Sequence, residues 1–160
     1  VCDAYGVHPS QVTVVVLNRP RNECTIKEMQ AFGANLKLIE HGDLVPSLLA
    51  ILPPEDHTKG IHMLMGIGGW EEGVIAATAA RAMGGVAEGR VWSPDNPHNP
   101  RLTLDQLVPG ESEHSLVIFS AITDDPWFDV QGATPEDQGM LVATVRFDAR
   151  GMAKGLTYLK

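Results

Sequence analysis

Cysteines and long hydrophobic runs are both scarce in this sequence. Only two cysteines occur, Cys2 and Cys24, so a disulfide framework is not expected and a reducing cytoplasm is the default location. No apolar run approaches the roughly 18 residues that a membrane-spanning helix needs, and no signal-peptide pattern opens the chain. We therefore expect a cytoplasmic protein without a membrane partner.

Positive charge is also in the minority. Lysine and arginine total 12 against 20 aspartates and glutamates, a formal net charge of −8, which argues against nucleic acid or an anionic lipid surface as the main partner. Apolar residues make up 44% of the chain, as in ordinary globular proteins. The length of 160 residues suits one compact domain, so residues 1–160 are predicted to form a single α/β domain.

Strand and helix patterns alternate along the chain. Short β-branched or alternating runs predict strands at 11–18, 35–40, 61–65 and 115–123, and a final pair of strands over 140–159 that turns near Asp148 to Gly151. Helical spacing predicts a helix that ends at Gly33 and others over 44–52, 71–83 and 103–108. Residues 53–60 and 92–101 are predicted to be irregular. The expected fold class is α/β, a mixed sheet flanked by helices.

Ligands of such sheets bind in the crevice beyond the carboxyl ends of the strands. The residues predicted to converge there are Arg19-Pro20-Arg21, His41-Gly42-Asp43, Gly66-Ile67-Gly68-Gly69 with Glu72, and Thr123-Asp124-Asp125. Guanidinium groups bind phosphate in a bidentate manner, glycine turns before helices accept anions, and carboxylates accept hydrogen bonds from hydroxyls. Together they predict a site for a phosphorylated, hydroxyl-rich small molecule.

Structural alternatives exist for these clusters as well. The glycine turn could serve only to let strand and helix pack closely. Arg19 and Arg21 flank a proline that should direct both side chains the same way, yet this feature taken alone favours two solvated surface residues. Asp43 is well placed to cap the helix that follows it, and His41 could be only a loop residue.

The glycine turn poses a question of charge, because two acids, Glu71 and Glu72, follow it directly. Acids in a first helical turn are stabilised by the helix dipole, typically by about 0.3–1 kcal/mol, and need no function. Alternatively, a divalent cation between a carboxylate and a phosphate would turn repulsion into a bridge, although one glutamate does not complete a Mg²⁺ site. The remaining candidates show no metal-ligand spacing and are interpreted as structural or surface residues; they are His8, His57, His62, His98 and His114.

In order and spacing, several motifs resemble those of class II fructose-1,6-bisphosphatases, the bacterial group that overlaps with sedoheptulose-1,7-bisphosphatases. They are VVVLNRPRNE, LKLIEHGDLVPSLLAILP, LMGIGGWEEGVIAATAARAMGG, SLVIFSAITDDPW and MLVATVRFDARGMAKGLTYL. The resemblance implies Mg²⁺- or Mn²⁺-dependent hydrolysis of the 1-phosphate of fructose 1,6-bisphosphate, a reaction of carbohydrate metabolism. It also implies a layered sugar-phosphatase fold.

The resemblance also assigns residues. It implies that Arg19, Pro20 and Arg21 contact the sugar phosphate and that Glu72 ligates the metal. The residues implied to lie against the sugar or beside the substrate are His41, Gly42, Asp43 and Gly69.

The chain departs from the family pattern in several places. His41 stands where the family usually has aspartate, Arg19 replaces a lysine, and Trp70 and Glu71 replace a small residue and a proline.

The family's catalytic half should precede residue 1, so we expect the catalytic residues there and this chain to be the C-terminal, substrate-binding half, with little activity alone. Its expected partners are a second copy or the missing half, besides the sugar bisphosphate. Two alternatives remain, a non-catalytic sugar-phosphate-binding module and a structural α/β domain that binds nothing.

Overall fold

The first sheet is built around a strand whose β-branched residues are buried on both faces. In the computed structural model, which describes residues 1–52, 60–93, 95 and 99–160, this strand is β1. The helices are α1 (Cys2–Tyr5), α2 (Glu23–Phe32), α3 (Leu44–Ala50), α4 (Trp70–Met83) and α5 (Leu104–Leu107). The strands are β1 (Thr13–Leu17), β2 (Asn35–Ile39), β3 (Met63–Leu64), β4 (Gly89–Arg90), β5 (Arg101–Leu102), β6 (Val117–Ala121), β7 (Thr134–Glu136), β8 (Gly139–Asp148) and β9 (Gly151–Leu159).

Strands β2, β1 and β3 form a parallel sheet with β1 in the centre. Alternate side chains of β1 point to opposite faces. Val14 and Val16 pack with Ile26 and Met29 of α2, whereas Val15 belongs to a core cluster on the other face with residues of α3 and α4. Helices therefore cover both faces of this sheet, as the alternating pattern predicts.

A second, antiparallel sheet packs against the far side of the helical layer. In it β8 pairs with β6 and β7 along one edge and with β9 along the other. Val145 and Phe147 of β8 share one core cluster with Ala79 of α4 and Val15 of β1. Helix α4 thus lies between the parallel and antiparallel sheets.

The predicted fold class is confirmed, although the strands divide among three sheets rather than one; the third is the pair β4–β5. Helices α2 and α4 end where glycine predicted, because Gly33 (φ 84°) and Gly84 (φ 70°) adopt the left-handed conformation. The short strands β4, β5 and β7 were not predicted. Irregular structure was predicted for residues 92–101, and this is wrong for Arg101, which lies in β5. Residues 53–59, 94 and 96–98, also predicted to be irregular, lie outside the described part of the chain.

Two smaller features bear on the cysteines and on membranes. Both cysteines are free, and Cys24 is exposed on α2. None of the helices in the described residues combines the length and the hydropathy required to cross a membrane.

The turn between β8 and β9 lies where it was predicted, and Asp148 organises it. The Asp148 carboxylate accepts hydrogen bonds from the Arg150 backbone N–H and Nη2, both at 2.9 Å, and lies 2.9 Å from Nε of Arg146. The Arg150 side chain, more than any other group, lowers the pKa of Asp148 below its ordinary value.

This pKa direction predicts the effect of acid on stability. A carboxylate whose pKa is lower in the folded than in the unfolded chain stabilises the fold fully above the unfolded value, about 3.9 for aspartate. That contribution is lost as the pH falls through the folded value. We expect Asp148→Asn to lower the urea midpoint at pH 7 and to lose less stability than the wild type between about pH 4 and pH 2. Asp137→Asn, at an exposed acid between β7 and β8, is the control; equal acid sensitivity of Asp148→Asn and the wild type would contradict the assignment.

Candidate functional site

The segment Gly66–Gly69, termed here the glycine loop, joins β3 to α4 at the carboxyl edge of the parallel sheet. Strands β1, β2 and β3 all end at this edge. The loop needs glycine because Gly66 has φ +151°, and because a Cβ there would lie 3.3 Å from both amide heteroatoms of the Asn22 side chain. The loop is therefore shaped by its contact with the segment that follows β1.

The backbone of Ile67 is held at its carbonyl oxygen and at its N–H by two consecutive residues. Nε of Arg21 donates to the Ile67 carbonyl oxygen at 2.7 Å, and Oδ1 of Asn22 accepts from the Ile67 N–H at 2.8 Å. Nδ2 of Asn22 in turn donates to the Leu17 carbonyl oxygen at 3.0 Å. These contacts tie the glycine loop to the end of the central strand.

Asn22 is a functional candidate that sequence reasoning missed. It is completely buried and is the one residue in the polar or charged class that is buried within the described chain. Its neighbours in the sequence are the charged residues Arg21 and Glu23, so the local pattern resembles that of a solvated turn. The non-local approach of the glycine loop contributes to this burial.

Arg19 and Arg21 make different contacts on the two sides of β1. Arg19 forms an ion pair with Glu40 at the end of β2, with 3.3 Å between Nη1 and Oε2, and also donates to the Glu40 carbonyl oxygen. Arg21 instead contacts the glycine loop after β3. The prediction that both side chains point the same way is wrong, because Pro20–Asn22 form a 3₁₀ turn rather than an extended segment.

Asp43 begins α3 as predicted but does not cap it. It occupies the N-cap position with helical backbone angles (φ −76°, ψ −15°), and its side chain makes no capping hydrogen bond. A Cβ on Gly68 would lie only 2.9 Å from Oδ2 of Asp43, so this carboxylate lies against the glycine loop. The neighbouring residues His41 and Gly42 are exposed.

Glu72 folds back over the N-terminus of α4. Gly69 is the N-cap residue of this helix, and a Cβ added to Gly69 would overlap the Glu72 carboxylate. Glu71 and Glu72 both lie in the first turn and are exposed, which fits the helix dipole. The Glu72 carboxylate has in addition a defined position beside the loop.

The structure brings most, but not all, of the predicted residues together. Arg21, Asp43 and Glu72 lie against the glycine loop, of which Gly69 is the last residue. Asp124 and Asp125 do not belong to this edge, because they follow β6 of the antiparallel sheet. Oδ1 of Asp124 accepts from the Gly132 N–H at 2.8 Å, and Oδ1 of Asp125 accepts from the Trp127 N–H at 2.8 Å. Their role is to shape their own turn.

The carboxylates around the loop do not make a complete cation site. Among the described residues, the acid and histidine side chains that cluster in a group of three are Glu111, Glu113 and His114, all exposed near one short turn. Glu72 is not a member of that group. Because Mg²⁺ demands near-octahedral oxygen coordination, Glu72 alone does not make a Mg²⁺ site.

The other histidines have structural contacts. Nδ1 of His62 accepts a hydrogen bond from the Thr13 N–H at 3.1 Å, and Nδ1 of His8 accepts one from the Ser10 N–H at 3.3 Å. Both fit the prediction that these residues are structural. His57 and His98 lie outside the described residues.

Comparison with known proteins gives consistent matches. The model of a protein family described as "bacterial fructose-1,6-bisphosphatase, glpX-encoded" matches residues 1–153. Fructose-1,6-bisphosphatase 1 class 2 of Escherichia coli is 35% identical over 113 residues, which cover 68% of this chain and 32% of that protein. The D-fructose 1,6-bisphosphatase class 2/sedoheptulose 1,7-bisphosphatase 1 of Acaryochloris marina is 39% identical over 118 residues, covering 73% and 32%. These alignments thus span about a third of each curated relative.

Proposed function

Because this chain belongs to the family of bacterial, glpX-encoded fructose-1,6-bisphosphatases, we propose that it is the sugar-phosphate-binding part of a sugar bisphosphatase. The substrate is fructose 1,6-bisphosphate or sedoheptulose 1,7-bisphosphate, the compounds in the names of the two relatives. The bond that is hydrolysed is the phosphate ester at carbon 1. The protein acts in a reducing cytoplasm, in which Cys2 and Cys24 remain thiols.

The observation that carries this proposal is the position of Arg21. Its bond to Ile67 uses Nε, and the two Nη groups of this exposed side chain make no hydrogen bond with the described residues. A guanidinium held in this way presents a fixed fork to phosphate oxygens. We assign Arg21, next to Pro20, to the phosphate group that does not react, with Arg19 in a supporting role because Glu40 already pairs with it.

The sugar would lie between Arg21 and the start of α3. There the Asp43 carboxylate is available to accept hydrogen bonds from sugar hydroxyls, since it does not cap its helix. His41 and Gly42 flank the same position, and Gly69 permits close approach of the ligand to the loop backbone.

Glu72 would supply one ligand to Mg²⁺ or Mn²⁺ at the phosphate that is hydrolysed. The other ligands would be phosphate oxygens, water and residues outside these 160. When bound, such a cation neutralises charge on the phosphoryl group and activates water. In this proposal the chain binds and orients the substrate, while the groups that activate water lie in the remainder of the family's longer protein. The chain alone is therefore expected to hydrolyse the substrate poorly or not at all.

The same proposal includes assembly with another chain. Apolar side chains in or next to the antiparallel sheet are exposed, namely Leu116, Ile118, Ile122, Met140 and Leu159. We propose that this side of the sheet is an interface, because large exposed apolar patches usually mark one. A second copy or the remainder of a longer chain would cover it. If the protein sediments as a monomer even at high concentration, the second copy is not what covers this surface.

Calorimetric titration with fructose 6-phosphate tests the binding function without requiring catalysis. We expect saturable binding of fructose 6-phosphate and none of fructose, because the phosphate contacts dominate the affinity, and we expect binding to weaken as salt is raised. The alternative function, a sugar-phosphate-binding module that does not belong to an enzyme, predicts the same binding but no response to Mg²⁺ with the bisphosphate. Equal affinities for fructose and fructose 6-phosphate would contradict both.

A further inference from the structure

The side-chain amide of Asn22 joins two backbone segments through its nitrogen and its oxygen. Nδ2 donates to Leu17 at the end of β1, and Oδ1 accepts from Ile67 in the glycine loop. A buried amide of this kind is costly unless its polar atoms are bonded. Because Asn22 is completely buried, these two bonds are a requirement of the fold at this point.

The glycine loop is fitted to this amide from the opposite side as well. Gly66 has a backbone conformation that side chains rarely adopt, and any Cβ there would lie within 3.3 Å of both Nδ2 and Oδ1 of Asn22. A hydrogen-bond pair and a steric fit therefore select the same loop conformation. The Ile67 carbonyl oxygen that this conformation presents is the acceptor that holds Nε of Arg21.

We propose that Asn22 is a positioning residue for phosphate recognition, acting on Arg21 through the backbone of Ile67. This inference rests on the proposed function, in which Arg21 binds the phosphate. Asn22 does not contact the ligand. It holds the N–H of Ile67 and so restricts the backbone of that residue, whose carbonyl oxygen, on the next peptide unit, holds the guanidinium. When the Ile67 backbone is free to move, Arg21 must be ordered by the ligand itself, and that ordering cost is subtracted from the affinity.

Asn22→Leu tests this directly, because leucine has a similar volume and removes both hydrogen bonds. We expect its affinity for fructose 6-phosphate to fall about tenfold, which corresponds to about 1.4 kcal/mol. We also expect the Ile67 amide hydrogen to exchange with solvent at least about tenfold faster, as the N–H loses its acceptor. Gly66→Ala perturbs the same contact from the loop side and should have the same two effects; it carries the test if Asn22→Leu does not fold.

Val142→Ala is the control for a merely structural role. Val142 is buried in β8 of the antiparallel sheet, so its truncation should lower the urea midpoint while leaving both the affinity and the exchange of the Ile67 amide unchanged within about twofold. If the three substitutions only lower stability, the urea midpoint should fall in every variant while the affinity for fructose 6-phosphate stays unchanged in all of them.

The two possible failures are distinguishable. If the wild type binds fructose 6-phosphate and folded Asn22→Leu and Gly66→Ala bind it equally well, the positioning role is overturned and the proposed function stands. If the wild type does not bind it, the proposed function fails and the role of Asn22 in phosphate recognition fails with it. Unchanged exchange at Ile67 in both variants overturns the positioning role whatever the ligand does.

Discussion

Replacement of Arg21 by alanine is expected to weaken fructose 6-phosphate binding by roughly 10- to 100-fold. Hydrogen bonds to charged groups contribute about 1.5–3 kcal/mol each, and every 1.4 kcal/mol changes a dissociation constant about tenfold. Arg21 is exposed and its defined bond is to the Ile67 carbonyl, so its removal leaves the core intact. Calorimetric titration of the variant measures the loss.

Three further variants make the Arg21→Ala result specific. Arg21→Lys keeps the charge but not the planar fork and should recover only part of the affinity. Arg150→Ala removes the same charge from the turn between β8 and β9 and should bind like the wild type. Arg19→Ala should lose less than Arg21→Ala, because Arg19 is paired with Glu40; a larger loss for Arg19→Ala would reverse the assignment of the phosphate site.

Replacement of Glu72 by glutamine is expected to change the response to Mg²⁺ by at least about tenfold. In the wild type, Mg²⁺ should raise the affinity for fructose 1,6-bisphosphate, because the cation links the Glu72 carboxylate to the phosphate. In Glu72→Gln this gain should disappear. Even residues that only hydrogen-bond to a metal ligand typically contribute about 10- to 100-fold to metal affinity, so the loss of a ligand itself should cost at least about tenfold. Without Mg²⁺ the variant should bind the bisphosphate several-fold more tightly than the wild type, as a repulsion of about 1 kcal/mol is removed.

Glu71→Gln is the matched control for Glu72→Gln. Both changes remove one acid from the first turn of α4 and with it a similar dipole contribution of about 0.3–1 kcal/mol to stability. Only Glu72 lies against Gly69. If Glu71→Gln and Glu72→Gln respond to Mg²⁺ alike, the effect belongs to the helix N-terminus in general and Glu72 has no special role as a ligand.

Local chemistry in the sequence was sufficient to locate the strands of the parallel sheet and the edge where the proposed site lies. The β-branched run of β1 can be buried on both faces, and Gly33 and Gly84 end their helices because a left-handed residue satisfies the last carbonyl groups. Since parallel strands end at one edge, the residues following β1, β2 and β3 had to lie near one another. The structure has this arrangement around the glycine loop.

Non-local packing decided what the sequence pattern missed. Nothing local distinguishes β6 from a strand of the parallel sheet, so Asp124 and Asp125 were expected at the wrong edge. The 3₁₀ turn at Pro20–Asn22 separates the two arginines, and burial of Asn22 depends on a loop 45 residues away in the sequence. Asp43 illustrates the same limit, because its position predicts a cap while its carboxylate lies against Gly68.

The central claim is that the glycine loop and the ends of β1 and β2 form a sugar-phosphate site. The titration with fructose 6-phosphate, repeated on a ¹⁵N-labelled chain and followed through backbone amide shifts, tests this most directly. The account predicts shifts that saturate with the calorimetric affinity and concentrate at Arg21, Gly42 and residues 66–69, with β8 and β9 unaffected. Shifts confined to the antiparallel sheet, or a folded chain whose spectrum does not change, would contradict it.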